Sequence, residues 1–142
     1  MAHLKAKGGR LQALAALFAA GAALFALSAV AQNAERAAPA REGVLLSLTG
    51  PVTPANAQYL AREIAAASQA KKELVLIEID TPGGLMDSMK TIIQAILASE
   101  TPVATFVYPQ GARSASTGLY IMYAAHVSAM APSTNTGAAT PV

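Results

Sequence analysis

"LVLIEIDTPGG", residues Leu74 to Gly84, is a nearly continuous apolar run that stops at a proline and two glycines. A run of this length and character from Leu74 to Ile79 predicts a strand buried on both faces, as in a parallel sheet. The chain then turns into a helix, on which Met89, Ile92, Ile93, Ile96 and Leu97 form an apolar stripe. Two glycines at such a junction serve either a tight turn or the close approach of something to the backbone.

The same alternation extends on both sides. Val44 to Leu48 reads as a strand closed by Thr49-Gly50-Pro51. Thr53-Pro54 supplies an N-cap and a first-turn proline, Leu60, Ile64 and Ala67 follow at helical spacing, and Lys71-Lys72 suits the helix end. Downstream, Val103 to Val107 predicts a third strand, about Ser114 to Ala125 a helix of small residues, and Val127 to Ala131 a fourth strand. Strand and helix alternating in this way point to an α/β fold, a parallel sheet built from βαβ units with flanking helices.

At 142 residues there is room for one ordinary domain and a targeting segment. Hydrophobic residues make up 54% and charged residues 13%, which excludes a solvated disordered chain. With no cysteine, neither a disulfide framework nor a thiolate metal site is possible. No metal-ligand spacing and no phosphate-cradling loop is present, so no cofactor is expected. The net charge of +2 comes from Lys5, Lys7 and Arg10; the remaining seven Lys and Arg stand against eight Asp and Glu, a net −1. That balance gives no support for a nucleic-acid surface.

The three cations precede an apolar run from Leu11 to Ala31 interrupted only by Gln12 and Ser28, with Ala29-Val30-Ala31 before Gln32. This is the layout of a secretory signal or an uncleaved membrane anchor, and either one places the rest of the chain outside the cytoplasm. Residues 1–31 are therefore read as signal or anchor, 32–42 as a polar linker and 43–142 as the folded domain.

In open α/β sheets, function gathers at the carboxyl ends of the strands. Two loops stand out there, "DTPGG" after the second strand and "PQGARSASTG" after the third. Ser116 falls at a helix start among small residues, where free N–H groups and the helix dipole favour developing negative charge. From spacing alone, Ser114 or Ser116 is more readily read as a simple N-cap. Adjacent parallel strands would bring the Gly83-Gly84 turn beside Ser116, an arrangement suited to acyl transfer.

"IEIDTPGGLMDSM", "PQGARSASTGLYIMYAAHVSAMAPSTNTGAATPV" and the apolar N-terminus together resemble the long-form nodulation-efficiency protein D family. These are membrane-bound serine proteases of the ClpP class, related to signal peptide peptidase A. The resemblance spans about residues 43 to 142 and implies a ClpP/crotonase-like fold. It places the nucleophile on Ser116 and the oxyanion donors on Gly83, Gly84 and the amide of Thr117. Family members generally have alanine where this chain has Ser114, and Ser114 is not expected to be the nucleophile. The resemblance further implies homo-oligomers acting on hydrophobic segments of membrane proteins, with stomatin-like proteins as substrates or partners.

A serine nucleophile needs a base. His126 lies ten residues after Ser116, about 15 Å along a helix, and is expected to be structural. Lys90 falls on the exposed side of its helix, and no catalytic role is expected of Asp87. The resembled family uses a lysine in a Ser–Lys dyad, which would lie beyond Val142. The domain is thus expected to be incomplete at its C-terminus, with residues 1–142 inactive by themselves. Two other readings keep the fold: a crotonase-like acyl-CoA enzyme, disfavoured by the export signal, and a non-catalytic membrane-associated scaffold.

Overall fold

The computed structural model describes residues 42–140. The signal or anchor expected over 1–31 and nearly all of the linker expected over 32–42 lie outside them. No helix among the described residues is long and apolar enough to cross a membrane.

The chain alternates as anticipated. In order come β1 (Gly43–Thr49), α1 (Pro54–Gln69), β2 (Leu74–Asp80), α2 (Met86–Leu97) and β3 (Val103–Val107), followed by β4 (Arg113–Ala115), α3 (Thr117–Ala124), β5 (Val127–Met130) and β6 (Asn135–Gly137). Four strands form one all-parallel sheet in the order β1-β2-β3-β5, and β4 pairs with β6, also parallel, in a small second sheet.

Register puts Leu48, Ile79, Val107 and Met130 in one row and Val44, Val75 and Val103 in another. These belong to the face that packs against the helices, where Leu48, Ile79, Val107, Val75 and Val103 are fully buried with Leu60, Ile64, Ile92, Ile96 and Ile121. Each such side chain contributes roughly 1.5–3 kcal/mol by leaving water.

The expectation that β2 is buried on both faces needs correction. Its burial alternates: Val75, Ile77 and Ile79 are covered, while Leu76, Glu78 and Asp80 are only half-buried. The other face of the sheet carries the row Leu45, Leu76, Ala104 and Val127, of which Leu45 and Val127 are exposed. Among the described residues helices cover one side of the sheet, so the unbroken apolar run of β2 reports membership of a parallel sheet and not two-sided burial.

Helix boundaries differ in instructive ways. α1 begins as expected, with the Thr53 side chain accepting from Asn56 N–H, the Asn56 side chain accepting from Thr53 N–H, and Pro54 in the first turn. It ends at Gln69, before the lysines; Lys71 takes a positive φ of 52° and Lys72 Nζ donates to Glu42. In α2, Leu97 leaves the stripe and is 71% exposed, because Met89, Ile92 and Ile96 already fill the face toward the sheet. The helix expected from Ser114 starts only at Thr117, since Arg113–Ala115 is a strand between the end of β2 and β6.

Candidate active site

The "DTPGG" and "GARSASTG" loops meet at the carboxyl end of the sheet. Thr81, the residue after β2, forms a parallel bridge with Ser114: its N–H donates to Arg113 C=O at 2.7 Å and its C=O accepts from Ala115 N–H at 3.0 Å. Asp80 Oδ1 accepts from Arg113 N–H at 3.1 Å, so the strand-end carboxylate also ties β4 down. β4 is held on its other side by β6, with Ser116 N–H donating to Gly137 C=O at 2.8 Å.

These bonds force a sharp reversal at Ser116. The residue sits at φ 53°, ψ −115°, in the left-handed half of backbone space that a side chain rarely occupies. It occupies the N-cap position of α3, yet its side chain makes no capping hydrogen bond. The plain N-cap reading of Ser116 therefore has no hydrogen bond behind it, and among the described residues its hydroxyl has no partner. Ser114 is no cap either: it lies in β4, is fully buried, and its hydroxyl has no hydrogen-bond partner among the described residues. Burial removes it as a competing nucleophile.

The two glycines of the turn are required by two different neighbours. A Cβ on Gly83 would lie 2.7 Å from Ser116 Cβ and 3.2 Å from its Oγ, and Gly83 has φ +106°. A Cβ on Gly84 would lie 2.3 Å from Val52 C=O and 2.5 Å from Val52 N. Val52 bridges the turn in parallel, its N–H donating to Gly83 C=O and its C=O accepting from Leu85 N–H, both at 2.9 Å. The close approach anticipated for this turn thus comes from within the chain, from the serine at one glycine and from backbone at the other.

The donors differ accordingly. Gly83 N–H donates to Thr81 Oγ1 at 3.1 Å. The N–H groups of Gly84 and Thr117 have no acceptor among the described residues. In a parallel bridge the bonds are made by the residues flanking Gly84, which turns its own N–H away from Val52. Thr117 opens α3, so its N–H is one of the helix's unsatisfied donors. Its hydroxyl is buried and also without a partner among the described residues.

Neither His126 nor Lys90 is placed to act on Ser116. His126 is at the far end of the neighbouring strand: its Nδ1 accepts from Val103 N–H at 3.1 Å and its backbone N–H donates to Val103 C=O at 2.9 Å. Val103 begins β3, whereas Ser116 follows its carboxyl end. Lys90 is exposed and 3.6 Å from the carboxylate of Asp87, itself solvent-facing. Among the described residues no group of His, Cys, Asp and Glu could hold a metal ion. A surface hollow of about 320 Å³ lies between α1 and α2, lined by Ile64, Ser68, Ala95 and Ser99 among others, and includes no residue of these loops.

Sequence reasoning did not find Thr81, Val52 or β6. Thr81 stands in the quoted motif, but only its bridge to Ser114 distinguishes it from any strand-end threonine.

The NfeD1b N-terminal domain model matches residues 44–142. The membrane-bound protease PH1510 of Pyrococcus horikoshii is 40% identical over 114 residues, covering 70% of this chain and 26% of that protein. Among solved structures, a lysine-to-alanine mutant of the 1510-N membrane-bound stomatin-specific protease in complex with a substrate peptide matches with a TM-score of 0.69 and 39% identity, over 74% of this chain and 48% of that one. A mutant of ClpP1 from Listeria monocytogenes, 22% identical, matches with a TM-score of 0.55 over 65% of this chain and 52% of that one, a likeness of fold alone. The chain spans about a quarter of the length of the curated relative and about half of the solved 1510-N chain.

Proposed function

Because the chain belongs to the NfeD1b N-terminal domain family, we propose that it is part of a membrane-associated serine endopeptidase with Ser116 as nucleophile. The observation that carries this reading is the state of Ser116: a non-glycine residue at φ 53°, uncapped, with a bare glycine against its side chain. Strain of this kind at a strand-to-helix turn is maintained only where the surroundings over-determine it, and it clusters at active sites.

In the proposed reaction Ser116 Oγ attacks a peptide carbonyl, and the resulting oxyanion is received by backbone donors. Gly84 and Thr117 supply the free N–H groups, while Gly83, without a side chain, leaves the serine unobstructed. The contact of Gly83 with the Ser116 side chain supports this pairing of the two turns.

The proton acceptor is a lysine outside the described residues, forming a Ser–Lys dyad. A neutral lysine amine takes the hydroxyl proton and returns it to the leaving amine. The similar 1510-N protease, solved with a substrate peptide as a lysine-to-alanine mutant, supports this choice. The substrates are hydrophobic segments of membrane proteins, stomatin-like proteins included, a reading supported by the stomatin specificity in the name of that relative. Residues 1–31 serve as signal or anchor, 32–42 as linker and 43–142 as the protease portion, on the extracytoplasmic side and in a homo-oligomer.

A fluorophosphonate probe tests the reading. The full-length protein should be labelled at Ser116 and cleave a stomatin-derived hydrophobic peptide, and Ser116→Ala should lose both. Cleavage that persists in Ser116→Ala would overturn it.

A further inference from the structure

We propose that Thr81 is a positioning residue that registers the donor turn against the nucleophile turn, an inference resting on the serine-peptidase reading above. Four of its groups are engaged, and together they touch three parts of the site. Its N–H and C=O bond Arg113 and Ala115, setting the strand that leads into Ser116. Its hydroxyl accepts from Gly83 N–H at 3.1 Å and lies 3.4 Å from Gly83 C=O, which fixes the glycine turn from inside. Its methyl group lies 2.7 Å from where a Cβ on Gly118 would be, so it packs directly on the first turn of α3.

Thr81 is fully buried. The hydroxyl occupies Gly83 N–H, which leaves the next amide, Gly84, as the free donor of the turn. Without the hydroxyl, Gly83 N–H becomes a buried donor seeking an acceptor, the Pro82–Gly83 peptide plane loses its anchor, and the Gly83–Gly84 plane is held by Val52 N–H alone. A catalytic donor displaced by even a fraction of its hydrogen-bond length stabilises the transition state less while leaving substrate binding largely intact. Thr81 touches no reacting atom; it acts through Gly83 and Gly118.

Valine and serine at this position separate the two halves of the side chain. In the full-length protein, Thr81→Val keeps the shape and removes the hydroxyl, while Thr81→Ser keeps the hydroxyl. Thr81→Val should lower kcat on the order of tenfold with KM unchanged and accelerate hydrogen exchange at the Gly83 amide. Thr81→Ser should restore both the slow Gly83 exchange and most of kcat. If Thr81→Val does not fold, as judged by circular dichroism, Thr81→Ala is read in the same way. Wild-type kcat and wild-type Gly83 exchange in the valine variant would overturn the proposal, as would a serine variant impaired as severely as the valine one. A wild-type protein without Ser116-dependent cleavage would instead overturn the peptidase reading, and Gly83 exchange would then decide on Thr81 independently.

Discussion

Gly83 and Ser116 are in such close contact that a Cβ on the glycine would sit 2.7 Å from the serine Cβ. The Gly83→Ala variant meets two penalties, because φ +106° is also a conformation that side chains rarely adopt. We expect a loss of about 2–4 kcal/mol in urea unfolding and no fluorophosphonate labelling of Ser116 in whatever fraction folds. Labelling at the wild-type rate would show that the contact is incidental.

Gly84→Ala should be costlier in stability. The clash there is with Val52 backbone atoms at 2.3 and 2.5 Å, which have no rotamer through which to escape. A destabilisation of about 3 kcal/mol or more is expected. Gly50→Ala is the control, with φ +78° but nothing within 4 Å of the added carbon, and should cost only about 1 kcal/mol. Equal losses in the two variants would refute this ordering.

Ser114→Ala removes a fully buried hydroxyl that has no partner among the described residues. An unsatisfied buried polar group is a penalty already present in the folded state. Thermal unfolding should therefore show stability unchanged or raised by up to about 1 kcal/mol, with Ser116 labelling retained. A clear loss of stability would mean that the hydroxyl has a bound partner.

His126→Leu should separate structure from catalysis. Removing Nδ1 leaves the buried Val103 N–H without its acceptor, and we expect a loss of about 1 kcal/mol, moderated by the partial exposure of the bond. Labelling of Ser116 in the full-length protein should be unaffected once the variant is folded. If labelling disappears in a variant with native circular dichroism, the histidine is part of the proton relay after all.

Much of the fold was legible because periodicity reports local structure directly. The strand from Leu74, the helices capped at Thr53 and striped by Met89, Ile92 and Ile96, and the parallel sheet all follow from residue spacing. Spacing also brought Ser116 and the Gly83-Gly84 turn to the same end of the sheet, since consecutive parallel strands place their exits side by side. Spacing did not reveal that Arg113–Ala115 would be a strand, because a run of three small or polar residues carries no period and only its pairing with Thr81 and β6 makes it one. Nor could it say which face of β2 would be covered, as an apolar strand reads the same with helices on one side or on both.

The sequence by itself determined the alternation of strands and helices and the identity of the residues at the strand exits. Tertiary structure alone decided what those residues do there. Whether Ser116 is a cap or a free hydroxyl depends on a backbone reversal imposed by bonds to Thr81 and Gly137, the latter twenty-one residues further along the chain. Whether the two glycines serve a turn or an approach depends on which atoms arrive beside them, Ser116 at one and Val52 at the other. Local propensity acts over a few neighbouring residues, whereas these contacts join segments that only the closed sheet brings together.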